Sequence, residues 1–125
     1  MLGAQCVLGC NHLGLNMATI RLVQNDTGPQ LRFTITDTLT NAAVDLTFAT
    51  VVLHFRAINT EVLLFSRTAT VLAPATDGVA ILQWLSGDLD IDAGEYEGEV
   101  EVTFPTGLRE TIFNILQFVV REEFA

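Results

Sequence analysis

The longest regular pattern in the chain runs from Glu95 to Phe104. Glu95, Glu97, Glu99, Glu101 and Thr103 fall on one side of a two-residue period, and Tyr96, Gly98, Val100, Val102 and Phe104 on the other. A helix would scatter these glutamates round its circumference. A strand collects them on one wet face and turns every apolar partner to the buried one. Pro105-Thr106-Gly107 breaks the pattern, and a second β-rich run, Glu110 to Arg121, follows. The spacing predicts an antiparallel hairpin closed by a short glycine-containing loop.

Shorter stretches repeat the theme. Thr19–Val23 reads as a first strand, and Gln30–Asp37 as a second with Leu31, Phe33 and Ile35 on one face. Ala49–Arg56 sets Val51, Leu53 and Phe55 against Thr50, Val52 and His54. Val62–Ser66 and Thr68–Leu72 read as two short strands around Arg67, and Val79–Leu85 as another with Trp84 near its end. Between them lie turn-forming clusters, the densest at Gln24–Pro29 and Ala73–Gly78. Many short strands at turn-bounded spacing, with no helical period, predict an all-β fold: an immunoglobulin-like antiparallel β-sandwich of about seven or eight strands over residues 17–125.

The approach to the long strand narrows that prediction. Asp92-x-Gly94-x-Tyr96 has the spacing of a tyrosine corner, in which a Tyr at the start of a strand bonds its hydroxyl back to the chain just upstream. A buried phenol needs such a partner, and Gly94 permits the sharp turn that supplies it. Gly98 stands where an immunoglobulin domain carries its second cysteine.

Residues 1–16 differ from the rest. They are rich in Gly and Leu and hold Cys6, Cys10 and His12. There is no positively charged leader, and the spacing of these three fits no standard zinc pattern, so no metal is expected. The segment reads as an amino-terminal arm or as the product of a start upstream of Met17.

Composition excludes several functions. The chain has 125 residues, which suits one domain with a single core. It has no lysine, six arginines scattered singly, and a formal net charge of −9. Nothing here displaces counterions from nucleic-acid phosphates or from an anionic membrane, so neither partner is expected. Asp88, Asp90, Asp92, Glu95 and Glu99 superficially resemble a calcium loop, but the glycine is misplaced and the flanks are strands. The ladder Glu95, Glu97, Glu99 and Glu101 is one solvated face opposite arginines, since four equivalent carboxylates lack the contrasting environments of an acid–base pair. His54 reads as a half-exposed strand residue. No catalytic residues and no cofactor are expected, and the chain does not read as an enzyme.

One stretch does ask for a partner. From Ile112 to Val120 both faces are nearly all apolar. One face suits the core; the other, with Phe113, Ile115 and Val119, must be covered by another subunit or by the amino-terminal arm. The pattern therefore predicts a homo-oligomer or a docked module.

A succession of short motifs carries a resemblance. Asn25-Asp-Thr-Gly-Pro29, Leu31-x-Phe-x-Ile-x-Asp37, Val44-Asp-Leu-Thr-x-Ala-Thr-Val-x-Leu-x-x-Arg56, Trp84-x-x-Gly-Asp-Leu-Asp90, Ala93-Gly-Glu-Tyr96 and Val100-x-Val-Thr-Phe104 follow one another in order. This resembles the amino-terminal immunoglobulin-like domain of tailed-phage baseplate upper proteins and related tail proteins, over about residues 17–121. The resemblance implies a structural protein of the virion: a tail or baseplate attachment or adaptor module that contacts other virion proteins and copies of itself. Family members often continue into host-binding regions, and none follows within this sequence, which favours an adaptor or a capsid decoration protein. The rival class is a free carbohydrate-binding β-sandwich, for which Trp84 is the candidate contact.

Overall fold

The computed structural model describes the backbone of Leu13–Gly14 and residues 19–124. Cys6, Cys10 and His12, and the arm as a whole apart from that short segment, lie outside the described residues. The strands are β1 (Leu13–Gly14), β2 (Ile20–Val23), β3 (Leu31–Thr34), β4 (Thr36–Asp37), β5 (Thr50–Ala57), β6 (Leu63–Val71), β7 (Val79–Leu82), β8 (Gly94–Thr103), β9 (Arg109–Thr111) and β10 (Leu116–Arg121). A 3-10 turn covers Ala75–Asp77.

The chain is an immunoglobulin-like β-sandwich. Hydrogen bonds link the strands in the order β2-β10-β8-β5-β6-β7-β3, with β9 alongside the far end of β8. The sheet folds over on itself along β6. Residues from Leu63 to Ala69 pair with β5, whereas Thr70 and Val71 pair with β7. A strand that changes sheets in this way makes the corner of a sandwich. The larger sheet is β2-β10-β8-β5-β6 and the smaller is β6-β7-β3.

The core lies between the sheets and takes the alternation of each strand. Val51, Leu53 and Phe55 of β5 and Tyr96, Val100 and Val102 of β8 are buried, as are Leu31, Phe33 and Ile35. Phe55 is its hub. Its ring stacks on Phe65 (centroids 4.9 Å apart) and Tyr96 (5.2 Å) and meets Phe118 (5.0 Å) and Trp84 (5.6 Å) edge on. Such offset and edge-on packing is the favourable geometry for aromatic quadrupoles. At Gly98 an added Cβ would meet Leu53 Cδ1 at 2.8 Å and Phe118 Cε1 at 2.9 Å. The place of an immunoglobulin cysteine is thus filled by neighbouring core side chains.

The structure corrects the sequence reading in five places. The two short strands around Arg67 are one nine-residue strand, β6. The Arg67 side chain turns toward the buried side, where its Nε donates to Asp88 Oδ2 (3.0 Å) and its Nη2 to Asp88 Oδ1. Glu110–Arg121 is not one strand but two. Ile112 N–H still bonds to the Val100 carbonyl, and the next pairing is Leu116 with Gly98, so Phe113, Asn114 and Ile115 stand opposite Glu99 alone. This is an enlarged bulge. Gln30–Asp37 is also split, because β4 leaves the sandwich path to pair with β1. The strand that begins at Val79 ends at Leu82, short of Trp84. Finally, the sandwich is not wholly antiparallel: β2 runs parallel to β10, with Ile20 opposite Phe118 and Val23 opposite Arg121.

Candidate functional site: the outer face of the larger sheet

The turn into β8 fixes the base of this face. Gly94 takes φ +152°, a region L-residues seldom enter, and swings the chain into the strand. Tyr96 is buried, and its hydroxyl donates to the Asp92 carbonyl oxygen at 2.6 Å. That is the bond a tyrosine corner requires, and Asp92, Gly94 and Tyr96 are brought together by it. Burial pushes the Tyr96 phenol above its ordinary value of 10.0, and the Asp92 carboxylate adds to the shift.

Above that corner the outward residues of β8 form the expected ladder. Arg56 lies directly opposite Glu97, and its Nε donates to Glu97 Oε1 at 2.8 Å. Glu101 lies 3.8 Å from Arg109 and 3.7 Å from His54. Glu95 and Glu99 stay exposed. Asp88, first of the acidic cluster before β8, is withdrawn from solvent: it takes the Arg67 guanidinium and the Leu85 N–H (2.8 Å). Among the described residues no group of His, Cys, Asp and Glu is placed to hold a metal ion.

The face also shows a grouping that strand-by-strand reading misses. Ser66 Oγ lies 2.7 Å from His54 Nδ1, and Glu101 lies on the far side of the ring. Ser, His and Glu are thus in line across three strands, although they are spread over the sequence. Only the register of β5 with β6 and β8 reveals this, with His54 opposite both Ser66 and Glu99. Acyl transfer also needs backbone donors that converge on the developing oxyanion. Ser66 sits within an extended strand, where successive N–H groups point to opposite edges and no pair converges above the hydroxyl. The row works as a polar tie across the sheet.

Beside the ladder the character of the face changes. Phe113 is 80% exposed, Ile115 51% and Val119 39%. Phe113 and Ile115 are thrown outward by the bulge, and Val119 by ordinary alternation in β10, where Leu116, Phe118 and Val120 are buried. A shallow groove of about 110 Å³ crosses the sheet here, lined by His54, Arg56, Leu63, Glu97 and Ile115 among others. Trp84 does not contribute to any exposed surface. It is 1% exposed, and its Nε1 donates to the Pro29 carbonyl at 3.0 Å. It is a core residue and offers no stacking platform to a sugar.

No family model matches the chain, and no curated protein sequence does. Among solved structures, CopC from Methylosinus trichosporium OB3b is similar at 13% identity, with 91% of this chain and 98% of that one covered and a TM-score of 0.52. The fibronectin(III)-like modules of CbhA from Clostridium thermocellum align at 13% identity over 88% of this chain and 96% of theirs, with a TM-score of 0.41. At such identities the likeness to CopC speaks to the fold alone.

Proposed function

We propose that this chain is a non-catalytic structural module that works by docking onto other proteins, through the strip formed by Phe113, Ile115 and Val119. The observation that carries the reading is the bulge between β9 and β10. It sets three residues against Glu99 alone and leaves Phe113 and Ile115 in solvent. Bulges that re-aim side chains in this way are functional devices more often than accidents. Exposed apolar strips rimmed by charge mark protein–protein contacts. The rim here is the Glu95–Glu101 ladder, which steers partners and limits misassociation.

The setting proposed is the one the sequence resemblance suggests: an attachment or adaptor module of a tailed-phage virion, in contact with other virion proteins and copies of itself. The test is incorporation. A tagged chain, expressed during infection, should co-purify with gradient-banded particles, whereas a folded Phe113→Asp, Val119→Asp double variant should be lost from them. Absence of the wild-type chain from particles would remove the virion setting. Incorporation of the double variant at wild-type level would remove the strip as the docking surface.

A further inference from the structure

The groove beside the Phe113 strip joins two kinds of surface. Leu63 of β6 and Ile115 of the bulge supply its aliphatic ends, exposed at 50% and 51%. Between them lie Arg56 and Glu97, opposite one another on β5 and β8, and the next outward residue of β8, Glu99. Glu61, just before β6, lines the groove as well.

The three carboxylates differ in what they meet. Glu97 accepts from Arg56 Nε at 2.8 Å. Among the described residues, neither Glu61 nor Glu99 has a cation within ion-pair distance. For Glu99 the cause is the sheet itself. On one side it stands opposite His54, whose ring is held by Ser66 and lies against Glu101. On the other side it meets only the uncharged residues of the bulge, Phe113, Asn114 and Ile115. An opposite charge directly across the ladder is what would neutralise a glutamate at such a position. Neither neighbouring strand provides one.

We infer that the segment docking on this face belongs to another, basic protein and lays an arginine side chain in the groove, beside an apolar residue that rests on the Phe113 strip. This depends on the docking role proposed above and specifies the partner. Desolvation selects the charge. Any partner laid over Ile115 takes Glu99 out of water, and a carboxylate buried without a counter-charge is among the costliest contacts an interface can hold. An uncharged segment therefore fails at Glu99, and an acidic one is repelled before it arrives. The aliphatic ends select a long side chain. Lysine and arginine lay their methylene stems along apolar surface while the charged head stays with polar groups. Leu63 and Ile115 offer that surface, and Glu61 and Glu99 the acceptors. Arginine suits the place better than lysine, because its guanidinium is more weakly hydrated and grips a carboxylate through two N–H groups at once. Arg56 does not fill the role itself, since its Nε is committed to Glu97. A second copy of the chain is a poor donor, with six arginines against fifteen carboxylates and no lysine.

The probe is a library of random dodecapeptides displayed on yeast and selected against the full chain. Enriched sequences should hold an arginine next to an apolar residue. In a synthetic peptide of that sequence, exchanging the arginine for citrulline keeps the shape and removes the charge. Binding should weaken roughly tenfold or more, the worth of a hydrogen bond to a charged group. Glu61→Gln with Glu99→Gln should weaken it as much. Both side chains are exposed and carry no bond within the chain, so the fold is kept. Glu122→Gln with Glu123→Gln removes the same charge away from the groove. That variant should stay within about twofold of wild type, because salt screens charges outside the contact. Loss of the peptide in the Glu61, Glu99 variant but not in Phe113→Ser would support the groove and remove the strip. Enriched peptides without a basic residue, lost in Phe113→Ser, would overturn the inference and leave the strip standing. Arginine peptides indifferent to the Glu61, Glu99 variant, or weakened equally by the Glu122, Glu123 variant, would also overturn it. So would a selection that enriches nothing.

Discussion

β8 and β10 are neighbours with the same inner face and opposite outer ones. Inward, both supply close-packed residues: Tyr96, Val100 and Val102 from β8, Leu116, Phe118 and Val120 from β10. Outward, β8 shows glutamates, two of them paired with Arg56, His54 and Arg109. β10 and the bulge before it show Phe113, Ile115 and Val119. The inner faces answer to packing, which leaves little choice at each position. The outer faces are free to differ, and the difference between two adjacent strands is where the surface chemistry of this protein is written.

The contrast breaks most severely from the inside. Phe55→Ala empties the hub of the aromatic cluster and should cost about 3–5 kcal/mol, read as a lowered midpoint in denaturant. Asp88→Ala strands the Arg67 guanidinium. Removing one member of a buried pair costs roughly 3–5 kcal/mol. Arg67 keeps a 29% exposed side chain, so a loss of about 2–3 kcal/mol is expected. Arg67→Met with Asp88→Leu should recover most of it; failure to recover would mean that the pair holds the loop in place and not merely its own charges.

Tyr96→Phe tests the turn where the two strands' sheet is anchored. Loss of the bond to Asp92 should cost about 1 kcal/mol with the fold unchanged. The phenol's value is raised in the folded chain. The neutral form is therefore the stabilised one: its contribution is present below the ordinary value of 10.0 and is lost as pH rises through the higher folded value. The wild type should lose stability in alkali more steeply than Tyr96→Phe, whose curve lacks this ionisation. The smallest effect is the sharpest for the comparison. Phe113→Ser should leave unfolding free energy within about 0.5 kcal/mol of wild type, because the side chain touches little of its own chain. A large loss there would make Phe113 a core residue and erase the distinction between the outer faces.

Much of this was legible in the sequence wherever neighbours along the chain decide the outcome. The alternation of β8, the inward set of β5 and the spacing of Asp92, Gly94 and Tyr96 all follow from local period and turn chemistry. The misreadings share a non-local cause. Arg67 looked like a break because its partner, Asp88, is twenty-one residues away. The bulge stayed hidden because two surplus residues preserve the two-residue period, so plain alternation already sets Phe113 and Ile115 on the same side as Val119. Val79–Leu85 ran too long because Trp84 owes its burial to a loop carbonyl at Pro29. The Ser66–His54–Glu101 row is invisible without register. The candidate surface was thus named from its unusual hydrophobicity at Phe113, Ile115 and Val119, but its cause, two surplus residues against β8, belongs to pairing alone.

The parallel pairing of β2 with β10 has a mechanical consequence. The first sandwich strand enters beside Phe118 and the last one leaves beside Val23, at opposite ends of the same ladder. Tension applied between Ile20 and Arg121 therefore pulls the two strands along their length in opposite directions. The cross-links between them must give way together instead of peeling one after another. A domain strung between two larger bodies in this orientation resists extension abruptly, like a clasp and not like a zipper. Single-molecule pulling from those two points should show one high-force rupture, and attachment at Ile20 and Phe118, which peels the ladder from one end, a much weaker one.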